Sequence, residues 1–177
     1  MNQRRYIITG APSTGKSTVI NKLGDQHVTF PEVARKVIQE QLKLNSNKVP
    51  WLNNYEFSKL VVAQQIQDRS TQVNEPVFYD RGIPDVIAYL NYYKQKEYLH
   101  EFLAHANNYR YSNKVFLMPP WEGIYQNDTE RKETFKEAQA INEQLIESYQ
   151  TLNYEIIEVP FVNSKERVKF ILDQINL

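Results

Sequence analysis

Eight residues near the amino terminus constrain this chain more than anything else in it. Gly10-Ala11-Pro12-Ser13-Thr14-Gly15-Lys16-Ser17 fits the pattern G-x-x-x-x-G-K-[ST] without adjustment. Each fixed position has a physical reason. Gly10 and Gly15 let the backbone turn back on itself, so that several N–H groups point inward at one anion. A helix opening near Lys16 adds the partial positive charge of its amino end. Lys16 is then a point charge for the outer phosphates of a nucleotide, and the Ser17 hydroxyl is placed to ligate Mg²⁺. The apolar run Tyr6-Ile7-Ile8-Thr9 before the motif and the segment KSTVINKL after it supply the strand and the helix that such a loop joins. The expectation is ATP or GTP bound with Mg²⁺ by residues 10–18, from Gly10 through Thr18.

The rest of the chain suits that loop. Short, nearly continuous apolar runs occur at Tyr6-Ile7-Ile8-Thr9, His27-Val28-Thr29-Phe30, Val77-Phe78-Tyr79-Asp80, Val115-Phe116-Leu117-Met118 and Tyr154-Glu155-Ile156-Ile157. Runs of this kind read as strands covered on both faces. Between them lie segments of helical period. Over residues 134–152, Phe135, Ala138, Ile141, Leu145, Tyr149 and Leu152 form one stripe; Val168, Ile171, Leu172 and Ile175 form another near the end. Asn163, with Glu166 three residues on, is a candidate capping box for that last helix. Pro119-Pro120 stops the fourth strand, and residues 45–54 (NSNKVPWLNN) read as a long exposed loop. The pattern predicts one α/β domain over residues 1–177: a five-stranded parallel sheet flanked by helices.

Composition excludes several alternatives. Acidic and basic residues balance at 21 each, so no net basic field points to nucleic acid. There are no cysteines, which excludes disulfides, thiolate metal sites and a cysteine nucleophile. Neither a signal peptide nor a membrane-spanning run is visible, and the reading is a cytoplasmic protein. His27, His100 and His105 show no ligand spacing, and most of the twelve tyrosines read as packing, with Tyr89, Tyr92 and Tyr93 nearest the expected cleft. Trp51 reads as the anchor of its loop.

A second group of residues bears on chemistry. Asp80 ends the strand VFYD, where it could hold water bound to Mg²⁺. Arg81 and Gly82 follow it, where water-activating ATPases usually carry Glu; an Arg beside the phosphates suits phosphoryl transfer better. The other reading of Asp80-Arg81 is a surface turn after a strand. Glu32 and Arg35, in FPEVARKV, follow the second strand and point toward the same crevice. Glu32 is either a base for an attacking hydroxyl, a hydrogen-bonding group for the acceptor, or simply an acid in a helix's first turn. Arg131, in the polar segment WEGIYQNDTERKETF, is either a lid arginine meeting transition-state charge or part of a solvated helix start.

Taken together, GAPSTGKST, FPEVARKV, FYDRGIPDVIAYL and VFLMPPWE, with the polar segment and a closing EVP, resemble a family of small P-loop AAA-type ATPases. That family is similar to the ribosylnicotinamide kinase domain of the bacterial NAD-biosynthesis regulator, and more distantly to thymidylate and deoxynucleoside kinases. The resemblance implies a kinase-like three-layer sandwich, with the Asp80 strand beside the strand that leads into residues 10–18. It implies a donor site at Gly10, Ala11, Pro12, Ser13, Thr14, Gly15, Lys16, Ser17 and Thr18, with Ser17 and Asp80 at Mg²⁺. The acceptor would lie near Glu32, Arg35 and Arg81, Arg131 would be the lid arginine, and Phe161-Val162-Asn163 would lie near the donor's base. No H-x-G-H sequence is present, so the regulator's adenylyltransferase chemistry is not implied.

The function expected is transfer of the γ-phosphoryl of ATP or GTP to a small nucleoside- or nucleotide-like acceptor. Lys16, Glu32, Asp80, Arg81 and Arg131 are the expected catalytic residues. The alternatives are a nucleotide hydrolase or switch with no acceptor, and a non-catalytic domain that binds nucleotide for stability.

Overall fold

The computed structural model describes residues 4–124 and 133–176. Five strands form one sheet: β1 (Arg5–Thr9), β2 (Val28–Phe30), β3 (Val77–Asp80), β4 (Lys114–Leu117) and β5 (Glu155–Glu158). Their order across the sheet is β2-β3-β1-β4-β5, and every neighbouring pair is parallel. The Asp80 strand is therefore the immediate neighbour of β1, as the resemblance implies. All five strands fall within one residue of the expected runs. His27, Met118 and Tyr154 lie just outside them.

Adjacent strand residues face opposite ways, and this splits the core in two. Ile7, Tyr79 and Val115 enter the larger cluster, which the helices α2 (Val33–Lys43), α3 (Asn54–Arg69), α4 (Ile83–Tyr92), α5 (Leu99–Asn108) and α6 (Phe135–Thr151) help to fill. Ile8, Phe78 and Phe116 face the other side, where α1 (Lys16–Leu23) packs against α7 (Ser164–Asp173). Burial on both faces explains why β1, β3 and β4 read as continuous apolar runs, while the edge strands β2 and β5 are only partly covered.

The helix ends follow local chemistry. Thr134 caps α6 in a full capping box with Glu137. Asn163 accepts from the N–H groups of Lys165 and Glu166, which is the asparagine half of the box expected there. Residues 45–53 form the long loop, but Trp51 does not anchor it. The residue is 62% exposed, and Val49, at 1%, is the buried residue of that loop. Arg131 lies outside the described residues. Among the described residues, no helix is long and apolar enough to cross a membrane.

Candidate functional site

The loop between β1 and α1 has the backbone its glycines are needed for. Gly10 takes φ 145°, and a methyl group there would lie 2.2 Å from the Met118 carbonyl oxygen. Gly15, at φ 86°, is the left-handed residue that opens α1. Ala11, Pro12 and Thr14 are buried, Ser13 sits at φ 61°, and Ser17 and Thr18 are exposed in the first helical turn. The Lys16 side chain folds over the loop, its Nζ donating to Ala11 O at 2.7 Å and to Thr14 Oγ1 at 3.3 Å.

Parallel pairing sets Ile8 opposite Asp80, so the carboxylate emerges beside the start of the loop. Ser17 Oγ donates to Asp80 Oδ2 at 3.3 Å. Asp80 Oδ1 is buried and, among the described residues, has no hydrogen-bond partner. Burial raises the Asp80 pKa above the ordinary carboxylate value; Lys16 and Arg81 oppose the shift, while Glu32 and Asp85 add to it. A hydroxyl and a carboxylate with one oxygen uncommitted form a hard oxygen donor set, which fits Mg²⁺.

The carboxyl ends of β1, β2 and β3 converge on a second cluster. Glu32 is the residue before α2, and its two oxygens are shared between two arginines: Arg81 Nε donates to Oε1 at 3.1 Å and Arg35 Nε to Oε2 at 3.2 Å. Arg81 is the more constrained of the two. It is buried, takes φ 73°, and its own N–H donates to Ile8 O at 3.0 Å. A non-glycine residue in that region is held there by its surroundings. Its Nη1 donates to Asp85 Oδ1 at 3.1 Å, and its guanidinium carbon lies 5.4 Å from the Tyr89 ring centre. Burial works against the charge on Arg81, but Tyr89, Glu32, Asp85 and Asp80 outweigh it and hold the pKa well above the usual arginine value.

Glu32, Arg35, Arg81 and Asp80 thus come together beside the loop. Tyr92 and Tyr93 pack on one another with ring centres 5.1 Å apart, and Tyr93 is largely exposed. A separate groove of about 510 Å³, lined by residues such as Lys94, Lys96, Glu143 and Glu147, shares no residue with the loop or the cluster.

Two buried residues here escaped the sequence reading. Asp85 accepts from Thr9 Oγ1 at 2.6 Å, Gly82 N–H at 2.9 Å and Tyr149 OH at 2.5 Å, besides Arg81. Its signal was its position one helical turn after Arg81, behind a proline that starts α4. Arg167 donates from Nη1 to Thr14 O at 2.9 Å, across 153 residues of sequence. Its signal was the stripe on α7: four residues before Ile171, position 167 falls on the buried face.

The family model described as AAA domain matches residues 5–167. No curated protein matches the chain in sequence. Among solved structures, NadR protein in complex with NR superposes with a TM-score of 0.76 at 16% identity, over 99% of this chain and 52% of that one. This chain therefore spans about half the length of that protein. Deoxyadenosine kinase from M. mycoides, with products dCMP and a flexible dCDP, gives 0.68 at 13% identity, covering 97% and 98% of the two chains. Thymidylate kinase from Candida albicans gives 0.69 at 16% identity, covering 99% and 92%. At such identities the likeness is one of fold, a kinase-like P-loop fold with a five-stranded parallel sheet.

Proposed function

The chain belongs to the AAA domain family, and on that premise we propose that it is a kinase moving the γ-phosphoryl of ATP or GTP onto a hydroxyl of a small nucleoside-like acceptor. The observation that carries the reading is the pairing of Glu32 with Arg81 at 3.1 Å, beside Asp80 and the phosphate loop. Water activation by a carboxylate is the usual need of a hydrolase, and the residue after Asp80 is Arg81 instead.

The same pairing bears on the acceptor. Arg35 and Arg81 are each already bonded to a carboxylate, Arg81 to two. An acceptor phosphate entering between them would meet the Glu32 carboxylate, a like-charge contact that disfavours it. A neutral hydroxyl meets a carboxylate held by one Nε–H bond from each of two guanidinium groups. In the reaction the acceptor oxygen bonds to the γ-phosphorus and the bond to the β–γ bridging oxygen breaks. The hydroxyl proton passes to Glu32 or Asp80. Lys16 and the loop N–H groups hold the departing diphosphate, and Arg81 faces the charge that spreads over the transferred group. Ser17, with Asp80 behind it, would hold Mg²⁺, which would supply neutralisation of the phosphate charge.

The test is nucleotide turnover with Mg·ATP and Mg·GTP, first alone and then with a panel of nucleosides, nucleoside monophosphates and NR. One nucleoside raising turnover and becoming phosphorylated at a hydroxyl is the expected result. Steady turnover with no acceptor modified makes the chain a hydrolase or switch and overturns the proposal. Lys16→Ala is expected to lose nucleotide affinity while keeping the fold; unchanged affinity would remove the phosphate loop from the site.

A further inference from the structure

Arg167 belongs to the last helix, yet its guanidinium closes over the first loop of the chain. Nη1 donates to Thr14 O at 2.9 Å, and Nε donates to Val162 O at 2.8 Å. The Trp121 ring covers its face, 5.0 Å from the guanidinium carbon, and Phe161 packs on that indole at 5.4 Å. The residue is 5% exposed, and the same Nη1 lies 3.3 Å from where a methyl on Gly15 would be. Among the described residues it pairs with no carboxylate.

Two consequences follow from this arrangement. The Thr14 carbonyl and the Gly15 N–H belong to one trans peptide and point in opposite directions. Fixing the carbonyl on Arg167 therefore fixes the N–H on the other side of the peptide, away from α7. The second consequence is electrostatic. A strut between α7 and the loop needs two donors but no charge, and a buried cation whose contacts among the described residues are carbonyls and an indole is costly to desolvate. An anion bound on the far side of the loop offsets that cost, since charge in a poorly solvated site acts through several ångströms.

We propose that Arg167 is a positioning residue for the nucleotide's phosphates: it aims the Gly15 N–H through the Thr14 carbonyl and sets its positive charge behind the loop. The proposal rests on the phosphate-loop reading of residues 10–18.

The experiment compares wild-type chain, Arg167→Gln, Arg167→Lys and Lys16→Ala for binding of inorganic tripolyphosphate and of Mg·ATP, each with its melting temperature without ligand. Arg167→Gln should weaken both ligands by about tenfold or more, and Arg167→Lys should recover part of the loss because it keeps the charge. Arg167→Gln melting lower but binding tripolyphosphate like wild type makes the residue a strut and overturns the proposal. If Lys16→Ala loses binding while Arg167→Gln keeps it, this proposal alone fails. If the wild-type chain binds neither ligand, the phosphate-loop reading and the proposal fall together. A second measurement does not depend on how Arg167→Gln folds. The chain has two tryptophans, so in Trp51→Phe the remaining indole is Trp121, stacked on Arg167. Saturating tripolyphosphate should change its emission, and unchanged emission overturns the proposal.

Discussion

Tyr149, in the last turn of α6, donates its hydroxyl to Asp85 Oδ2 at 2.5 Å. Asp85 in turn holds Arg81 and the Thr9 hydroxyl, so a helix on the outside of the sheet is tied to the turn after β3. The hydroxyl of Ser148 adds a parallel bond to Pro84 O at 2.7 Å. This bracket is what fixes Arg81 in its left-handed conformation beside the loop.

Asp85→Asn should cost about 3–5 kcal/mol of stability, because it leaves the buried Arg81 charge with only part of its compensation. Tyr149→Phe removes one bond from a carboxylate that keeps its other donors, and about 1–3 kcal/mol is expected. Denaturant unfolding of the two variants checks the order. Equal losses would mean that Asp85 acts as a polar filler and not as the counter-charge of Arg81.

Arg35 and Arg81 grip the same carboxylate but should differ sharply. The Arg35 side chain is 38% exposed, whereas that of Arg81 is 7% exposed. Arg35→Ala should cost about 0–1 kcal/mol of stability, the ordinary worth of a surface pair, and act mainly on acceptor KM. Arg81→Ala should unfold far more readily and lose kcat in whatever fraction folds. Thermal melts with steady-state kinetics on both variants separate the two roles; similar melting points would contradict the assignment.

Two glycines make a graded pair. A methyl group on Gly82 would come within 2.5 Å of Ile7 Cδ1, the end of a side chain that can shift. Gly82→Ala should fold and lose about 1–3 kcal/mol, the usual cost of overpacking. At Gly10 the clash is with the Met118 carbonyl, on a chain held to β1 by Met118 N–H donating to Thr9 O at 2.8 Å. Backbone there cannot yield, and φ 145° adds strain for any side chain. Gly10→Ala should lose nucleotide binding or the fold, and binding titrations of the two variants give the comparison.

The three central strands were legible because both their faces are covered, which leaves a local apolar run that no loop would carry. The phosphate loop was legible for a related reason: its backbone needs glycine at two fixed spacings, as Gly10 and Gly15 show. Asp80, Glu32 and Arg81 were found because strand ends in a parallel sheet share one edge. What stayed hidden was pairing across sequence. Arg167 and Tyr149 reach the site from 153 and 64 residues away, on helices whose stripes look like plain packing. Trp51, the expected anchor of its loop, is exposed, and Val49 fills the buried position.

Asp80 carries the prediction most sensitive to pH. Burial raises its folded-state pKa above the unfolded value, with Glu32 and Asp85 adding to the shift against Lys16 and Arg81. A carboxyl shifted upward favours the folded state below the unfolded pKa, and that contribution is lost as pH rises through the folded value. At neutral pH the upward-shifted Asp80 therefore costs stability, and Asp80→Asn removes the cost. Without Mg²⁺, the variant should melt above wild type at neutral pH, and the gap should close on acidification toward the ordinary aspartate range of the unfolded chain, about pH 4. With Mg²⁺ and nucleotide present the order should reverse, because wild type gains binding energy that the amide forgoes. Melting curves across pH, with and without Mg·ATP, test both halves. An Asp80→Asn variant less stable than wild type at neutral pH without metal would mean that Lys16 and Ser17 already repay the buried charge, and that Asp80 is a structural partner of the loop.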